Sequence, residues 1–183
     1  ISCPLPVRDR HGNALGELAG RPAAMCTFLD GVSVRRPMHH HCQSVGSALA
    51  RLHLAVQGFA LTRANALGPA GWRPLFGTFS ARAEEIAPGL AGLIASELDD
   101  LAHIWPSSLP GGVIHADLFP DNVFFLGDRL SGSIDFYFAC NDLYAYDIAV
   151  CMNAWCFDAD HAFEITRARA LLSGYRRVRP LGT

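Results

Sequence analysis

The stretch His115-Ala116-Asp117-Leu118-Phe119-Pro120-Asp121-Asn122 sets a carboxylate and a carboxamide five residues apart, directly after the apolar run Gly112-Val113-Ile114. A second short apolar run ends in Ile134-Asp135-Phe136. Residues of these types, in this order, are the parts needed for phosphoryl transfer. One Asp accepts a proton from the attacking hydroxyl, an Asn five positions on binds a divalent cation, and a second Asp across a hairpin holds the cation that bridges nucleotide phosphates. Mg²⁺ is small and hard, takes oxygen ligands and keeps several waters, so one amide oxygen and one carboxylate suit it. Taken singly, each residue reads equally well as a turn former or a helix cap. The complete set, spaced between two strand-like runs, points to chemistry.

Such a set needs rigid elements on both sides. The apolar runs predict a small hairpin that carries the 115–122 loop and Asp135 on neighbouring loops. Upstream, Pro4 to Asp9 and Arg21 to Leu29 read as two strands joined by a long hairpin-like connection with a turn at His11-Gly12-Asn13, and Asp30-Gly31 turns the chain onward. Val45, Leu49, Leu52, Val56 and Phe59 recur at helical spacing and predict an amphipathic helix from about His41 to Gly58. Three adjacent histidines, His39-His40-His41, point in different directions on a helix and cannot converge on one ion without help from elsewhere. They read as a solvated or capping helix start, and His53 as a packed core or interface residue. Arg63 to Gly77 is expected to be loop. Phe79 to Trp105 reads as helix broken at Pro88-Gly89, with Glu97, Asp99 and Asp100 on a solvated face. Leu143 to Phe157 and Asp160 to Tyr175 read as two further helices, the second capped by Asp158 or Asp160.

Composition bounds the partners. The chain has 183 residues, half of them apolar, which is enough for one core. A net charge of −2 gives no electrostatic ground for nucleic acid or an anionic membrane as partner. No apolar stretch approaches the roughly 20 residues that span a bilayer, and nothing at the start reads as a signal peptide. Cys3, Cys26, Cys42, Cys140, Cys151 and Cys156 include no Cys-x-x-Cys pair and read as reduced, buried thiols of a cytoplasmic protein. Arginine accounts for all fifteen basic Lys+Arg residues, so lysine is absent. A Gly-x-Gly-x-x-Gly loop near the start is also absent.

The wording of the motifs resembles a known family. His-x-Asp with Asn five residues on, then Ile-Asp-Phe, then Asp142-Leu143-Tyr144-Ala145-Tyr146-Asp147-Ile148-Ala149 is similar to the aminoglycoside phosphotransferase and choline kinase superfamily, whose protein-kinase-like fold phosphorylates small molecules. The longer stretches GVIHADLFPDNVFF, SGSIDFYFACNDLYAYDIAVCMNAWCF and RPAAMCTFLDG resemble the type II homoserine kinases in particular. The resemblance runs from about Pro4 to the end of the chain. It implies an α+β fold in which residues 1–31 are the last two strands and hinge of a small lobe and residues 32–183 a mainly helical catalytic lobe. It implies ATP and Mg²⁺ as cofactors and L-homoserine as the small-molecule substrate, giving O-phospho-L-homoserine on the way to threonine. An aminoglycoside, choline or a sugar is the alternative acceptor, and a non-catalytic fragment the alternative to an enzyme. Because kinases of this fold hold nucleotide phosphates with a strand lysine and a glycine loop, the chain is expected to be a fragment that begins after those parts, stops before the final helices, and is inactive by itself.

Roles carried over by the resemblance are as follows. Asp117 is the catalytic carboxylate, Asn122 and Asp135 hold the metal, and Thr27, Phe28 and Leu29 form the hinge against which adenine lies. His115 holds the catalytic loop structurally, and Asp147 caps its helix and braces that loop, with a pure N-cap role as the alternative. Asp121, Asn141, Asp142, Asn153 and Trp155 are candidates for the acceptor pocket.

Overall fold

The computed structural model describes residues 2–181. Two helices form the spine: α1 (His39–Ala55) and α5 (Ile165–Val178) lie in close contact along their length. The sequence reason is a pair of glycines. A β-carbon on Gly46 would sit 2.0 Å from the Leu171 carbonyl oxygen, and one on Gly174 would sit 2.0 Å from that of Gln43, so only glycine admits this approach. Ser47 Oγ closes the seam with a 3.0 Å bond to the Gly174 carbonyl. Cys42, Val45 and Leu49 of α1 and Leu171 and Tyr175 of α5 are fully buried, together with Cys151 and Trp155 of α4 (Tyr144–Trp155). Leu52 is partly buried, while Phe59, expected on this face, lies past the helix end and is 57 % exposed.

Two short antiparallel pairs sit on this spine. β3 (Gly111–Ile114) pairs with β6 (Cys140–Leu143), and β4 (Val123–Leu126) pairs with β5 (Arg129–Ser133). The loop between β3 and β4 carries residues 115–122, and the loop between β5 and β6 carries Asp135. A backbone bond from Ile134 N–H to the Asn122 carbonyl, 2.9 Å, ties these loops together, as the sequence predicts.

The N-terminal hairpin also forms. Val7 N–H bonds the Met25 carbonyl at 2.7 Å and Thr27 N–H bonds that of Leu5 at 2.9 Å, and the tip is closed by β1 (Gly16–Leu18) and β2 (Arg21–Ala23). Its regular pairing is shorter than expected. The hairpin docks onto the β4–β5 pair, with Val32 bridging Phe125 and Ser131 Oγ bonding the Asp30 carbonyl at 2.6 Å.

Three expectations fail for identifiable reasons. Arg63 to Gly77 is not all loop: α2 (Pro69–Gly77) is a helix with Pro69 in its first turn, where proline's missing N–H is harmless. The break at Pro88-Gly89 is real, but only α3 (Leu90–Ile104) is α-helical and residues 80–85 form a 3₁₀ turn. The Glu84 carboxylate caps α3 from outside by accepting from Gly89 and Ala91 N–H. Neither Asp158 nor Asp160 caps α5. Glu164 occupies that position, and Asp158 instead shapes the preceding turn by accepting from Asp160 and Ala162 N–H. Among the cysteines, Cys26 is exposed and Cys3 half-buried, against the expectation that they are buried; all six are free thiols. No helix of the described residues is long and apolar enough to cross a membrane.

Candidate active site

The loop after β3 is held from beneath by one carboxylate. Asp147, fully buried in the first turn of α4, accepts from His115 N–H at 2.9 Å and from Ala116 N–H at 2.8 Å. Its Oδ2 also meets His53 Nε2 of α1 at 2.9 Å, and His53 Nδ1 meets the Tyr175 hydroxyl of α5 at 2.7 Å. Asp147 therefore braces the loop and does not cap its own helix, whose N-cap is Leu143. Ala116 takes a left-handed conformation, φ 63°, which non-glycine residues seldom occupy, directly before Asp117.

Asn122 completes the loop. Its side-chain N–H₂ donates to the Asp117 backbone carbonyl at 2.8 Å and to Asp117 Oδ2 at 3.0 Å. No hydrogen bond among the described residues engages its amide oxygen. Burial raises the pKa of Asp117; the Asn122 bond opposes this, and the charges of Asp135 and Asp121 add to the rise. Asp135 follows β5, exposed and also left-handed at φ 59°, with Oδ1 accepting from Tyr137 N–H at 3.3 Å. His115 links the two loops: its ring, fully buried, places Nε2 3.1 Å from the Ile134 carbonyl and lies against Phe136. Burial holds His115 below the ordinary imidazole range, so the ring is neutral, with Nδ1 unpartnered.

The donor set fits a hard divalent cation. Asp117, Asp121 and Asp135 make no ion pair with a basic residue among the described residues, and the Asn122 amide bonded to Asp117 leaves its oxygen free. Repulsion among three carboxylates is relieved by such an ion, and all the available ligand atoms are oxygen.

The other sequence candidates divide. Asp121 is exposed beside Asp117. Asn153 is exposed on α4. Asn141 accepts from Arg63 N–H at 2.8 Å and Asp142 from the Asn65 side chain at 2.7 Å, so both fasten the 63–65 segment to β6. Trp155 has no face open to a ligand. It is fully buried and donates from Nε1 to the Leu118 carbonyl at 2.7 Å, supporting the 115–122 loop from behind. In the hinge segment Thr27 Oγ1 accepts from Leu5 N–H at 2.9 Å, Phe28 is 88 % exposed, and Leu29 packs against Gly132 of β5. His53 is packed in the core as its sequence position suggests, but its link to Asp147 was not legible there. Its only local signal is its place at the end of the apolar stripe of α1.

A mainly helical lobe that presents an Asp–Asn loop and a second Asp on adjoining hairpin loops defines a kinase-like phosphotransferase. The chain belongs to the phosphotransferase enzyme family, whose model matches residues 1–181. It is 64 % identical over 182 residues to a homoserine kinase of Rhodopseudomonas palustris, covering 99 % of this chain and 56 % of that protein. Against a homoserine kinase of Bradyrhizobium diazoefficiens it is 62 % identical over the same shares. The chain thus spans about half the length of the curated relatives it matches. Among solved structures it superposes on a type VIII aminoglycoside-3'-phosphotransferase with TM-score 0.66 at 22 % identity, over 98 % of this chain and 68 % of that one. The amicoumacin kinase hAmiN, solved with AMP-PNP and Ca²⁺, gives TM-score 0.73 at 16 % identity over 100 % and 58 %. These likenesses establish the kinase-like fold.

Proposed function

We propose that this chain carries the phosphoryl-transfer residues of an ATP-dependent homoserine kinase, forming O-phospho-L-homoserine. The observation that carries the chemistry is the joining of the Asp117–Asn122 loop to the Asp135 loop through the Ile134–Asn122 and His115–Ile134 bonds. The choice of acceptor is supported by the relatives at 62–64 % identity, which are homoserine kinases.

In this reading Asp117 orients the acceptor hydroxyl and takes its proton late in transfer. Its raised pKa brings the carboxylate nearer to that task. Asn122 and Asp135 hold Mg²⁺, which when bound neutralises charge on the transferring phosphoryl group. Asn122 has a second part, since its N–H₂ fixes the rotamer of Asp117. His115 and Asp147 set the spacing of the loops. The backbone of Phe28 and Leu29 makes no hydrogen bond among the described residues, as a hinge that reads adenine requires. In the same reading Asp121, an exposed carboxylate on the Asp117 loop, takes the substrate ammonium.

The test is a chimera in which this chain replaces the matching part of the Rhodopseudomonas palustris homoserine kinase. ADP formation is expected with L-homoserine in preference to choline or kanamycin. Asp117→Asn in the chimera is expected to lower kcat far more than it raises KM, because the carboxylate acts in the transition state. Equal turnover of all three alcohols would remove the homoserine assignment, and a fully active Asp117→Asn chimera would remove the catalytic one.

A further inference from the structure

Another group of side chains stands apart from the phosphotransfer loops, and none of the roles above uses it. β4 leads from Asn122 to a turn containing Asp128, so this turn lies a strand length, roughly 13 Å, from the Asp–Asn loop. There it meets the start of α1. One ligand atom each from His40, His41 and Asp128 lies within 4.8 Å of the others. We propose that these three side chains bind a single divalent transition metal, of the zinc type, that clips the β4–β5 turn to α1.

Several observations converge on this cluster. His40 Nε2 is shut off from solvent and has no hydrogen-bond partner, although Asp128 Oδ1 is 3.2 Å away. A buried ring nitrogen in that state calls for an occupant. The 3.2 Å separation is that of two ligands sharing one ion: bonds of 2.0–2.1 Å in a tetrahedral shell set its edges at roughly 3.3 Å. The His41 ring is already positioned. It stands 4.0 Å from the ring of His40 and edge-on to Phe125 of β4 at 4.8 Å. His41 Nδ1 accepts from Met38 N–H at 3.1 Å, so binding at this ring gives up that contact and makes His41 the weakest of the three ligands.

Ligand chemistry separates this site from the first. Two imidazoles and one carboxylate, with the fourth position left to water, are the ligands of Zn²⁺, Co²⁺ or Ni²⁺, whereas Mg²⁺ prefers an all-oxygen shell such as Asn122 and Asp135 offer. Adjacent histidines converge here because Asp128 arrives from a different element. The hairpin that the metal would fasten has Asn122 before it and Asp135 after it, so occupancy would stiffen the strands between the two phosphotransfer loops.

The chain 1–183, stripped of metal and with its thiols reduced, is titrated with Co²⁺ and followed by absorption. One equivalent is expected to bind at micromolar concentration, with the visible bands of a nitrogen–oxygen site and no near-ultraviolet thiolate band. Zn²⁺ is expected to displace it, and excess Mg²⁺ is not. Asp128→Asn and His40→Ala should each weaken binding by at least the roughly tenfold that even an outer-shell change costs. Asp128 is 87 % exposed, so its variant keeps the fold, and circular dichroism verifies this. Three results would overturn the proposal: a thiolate band, showing that cysteine holds the metal; affinity unchanged in Asp128→Asn; or no saturable binding, which would reduce the cluster to an ion pair and a helix cap.

Discussion

Replacing Asp147 with Asn changes one oxygen to nitrogen at the point where α1, α4 and the 115–122 loop meet. In the native chain Oδ1 takes Ala116 N–H while Oδ2 takes both His115 N–H and the His53 ring. An asparagine in its better orientation keeps oxygen at the Oδ2 position and turns N–H₂ toward Ala116 N–H, so two donors face each other. One hydrogen bond to a charged acceptor is lost, about 1.5–3 kcal/mol, and a buried donor is left unsatisfied, about 1–3 kcal/mol. The remaining two bonds weaken because a neutral acceptor is roughly half as strong as an ionised one. Relief of carboxylate desolvation opposes these terms, and a net loss of about 3–5 kcal/mol remains. For a chain of this size that corresponds to a loss of roughly 6–20 °C in Tm. Thermal and urea unfolding of residues 1–183 measure it, and hydrogen exchange localises it: the His115 and Ala116 amides should lose protection before the α1–α5 seam does. A loss below about 1 kcal/mol, or unaltered protection at those two amides, would refute the claim that Asp147 braces the loop.

Three further outcomes are expected. Gly46→Ala should destabilise the chain by about 1–3 kcal/mol or more through overpacking, because its β-carbon would fall 2.0 Å from the Leu171 carbonyl oxygen. Gly92→Ala, on an open face of α3, should stabilise by up to about 1 kcal/mol, and unfolding midpoints that move in the same direction for both would contradict the packing account. Stability should also decline as pH falls below about 6.5, because His115 and His41 are held below the ordinary range by burial and the unfolded chain takes up their protons first. The contribution is complete above the unfolded pKa and is lost toward the lower folded values, so a midpoint independent of pH between about 7.5 and 5.5 would count against it.

The loops that carry the proposed phosphotransfer residues were readable in the sequence as neighbours because their geometry is local. A loop of eight residues and one hairpin bring Asp117, Asn122 and Asp135 together, and spacing alone constrains so short a path. The same holds for the break at Pro88-Gly89, where proline and a left-handed glycine act on the backbone directly. What spacing did not reveal depends on distant segments meeting. His53 gains its role only when α4 and α5 arrive, from 94 and 122 residues away. Trp155 was a pocket candidate because it lies in the stretch that most resembles the homoserine kinases. Its burial follows from α4 packing on α1 and α5, which no local pattern encodes. α2 was missed because proline and glycine were weighed as breakers without regard to position, although Pro69 lies where a helix tolerates it.

The two left-handed residues show how the buried and exposed halves of the site depend on each other. Ala116 and Asp135, at φ 63° and 59°, each hold a conformation that costs non-glycine residues of order 1–3 kcal/mol. Such strain persists only where the surroundings over-determine it. At Ala116 the determinant is Asp147, which binds its N–H, and Asp147 is in turn fixed by His53 and Tyr175. At Asp135 it is the preceding residue, Ile134, held by its N–H to Asn122 and by its carbonyl to His115. His115 belongs to both chains of support, since its backbone N–H is bound by Asp147 and its ring binds the second loop. The separation between Asp117 and Asp135 is therefore set through a buried neutral histidine and not through any contact between the two carboxylates, which repel. In the proposed reading a divalent cation would enter an arrangement already fixed from behind, with the loops held in place against the mutual repulsion of their carboxylates.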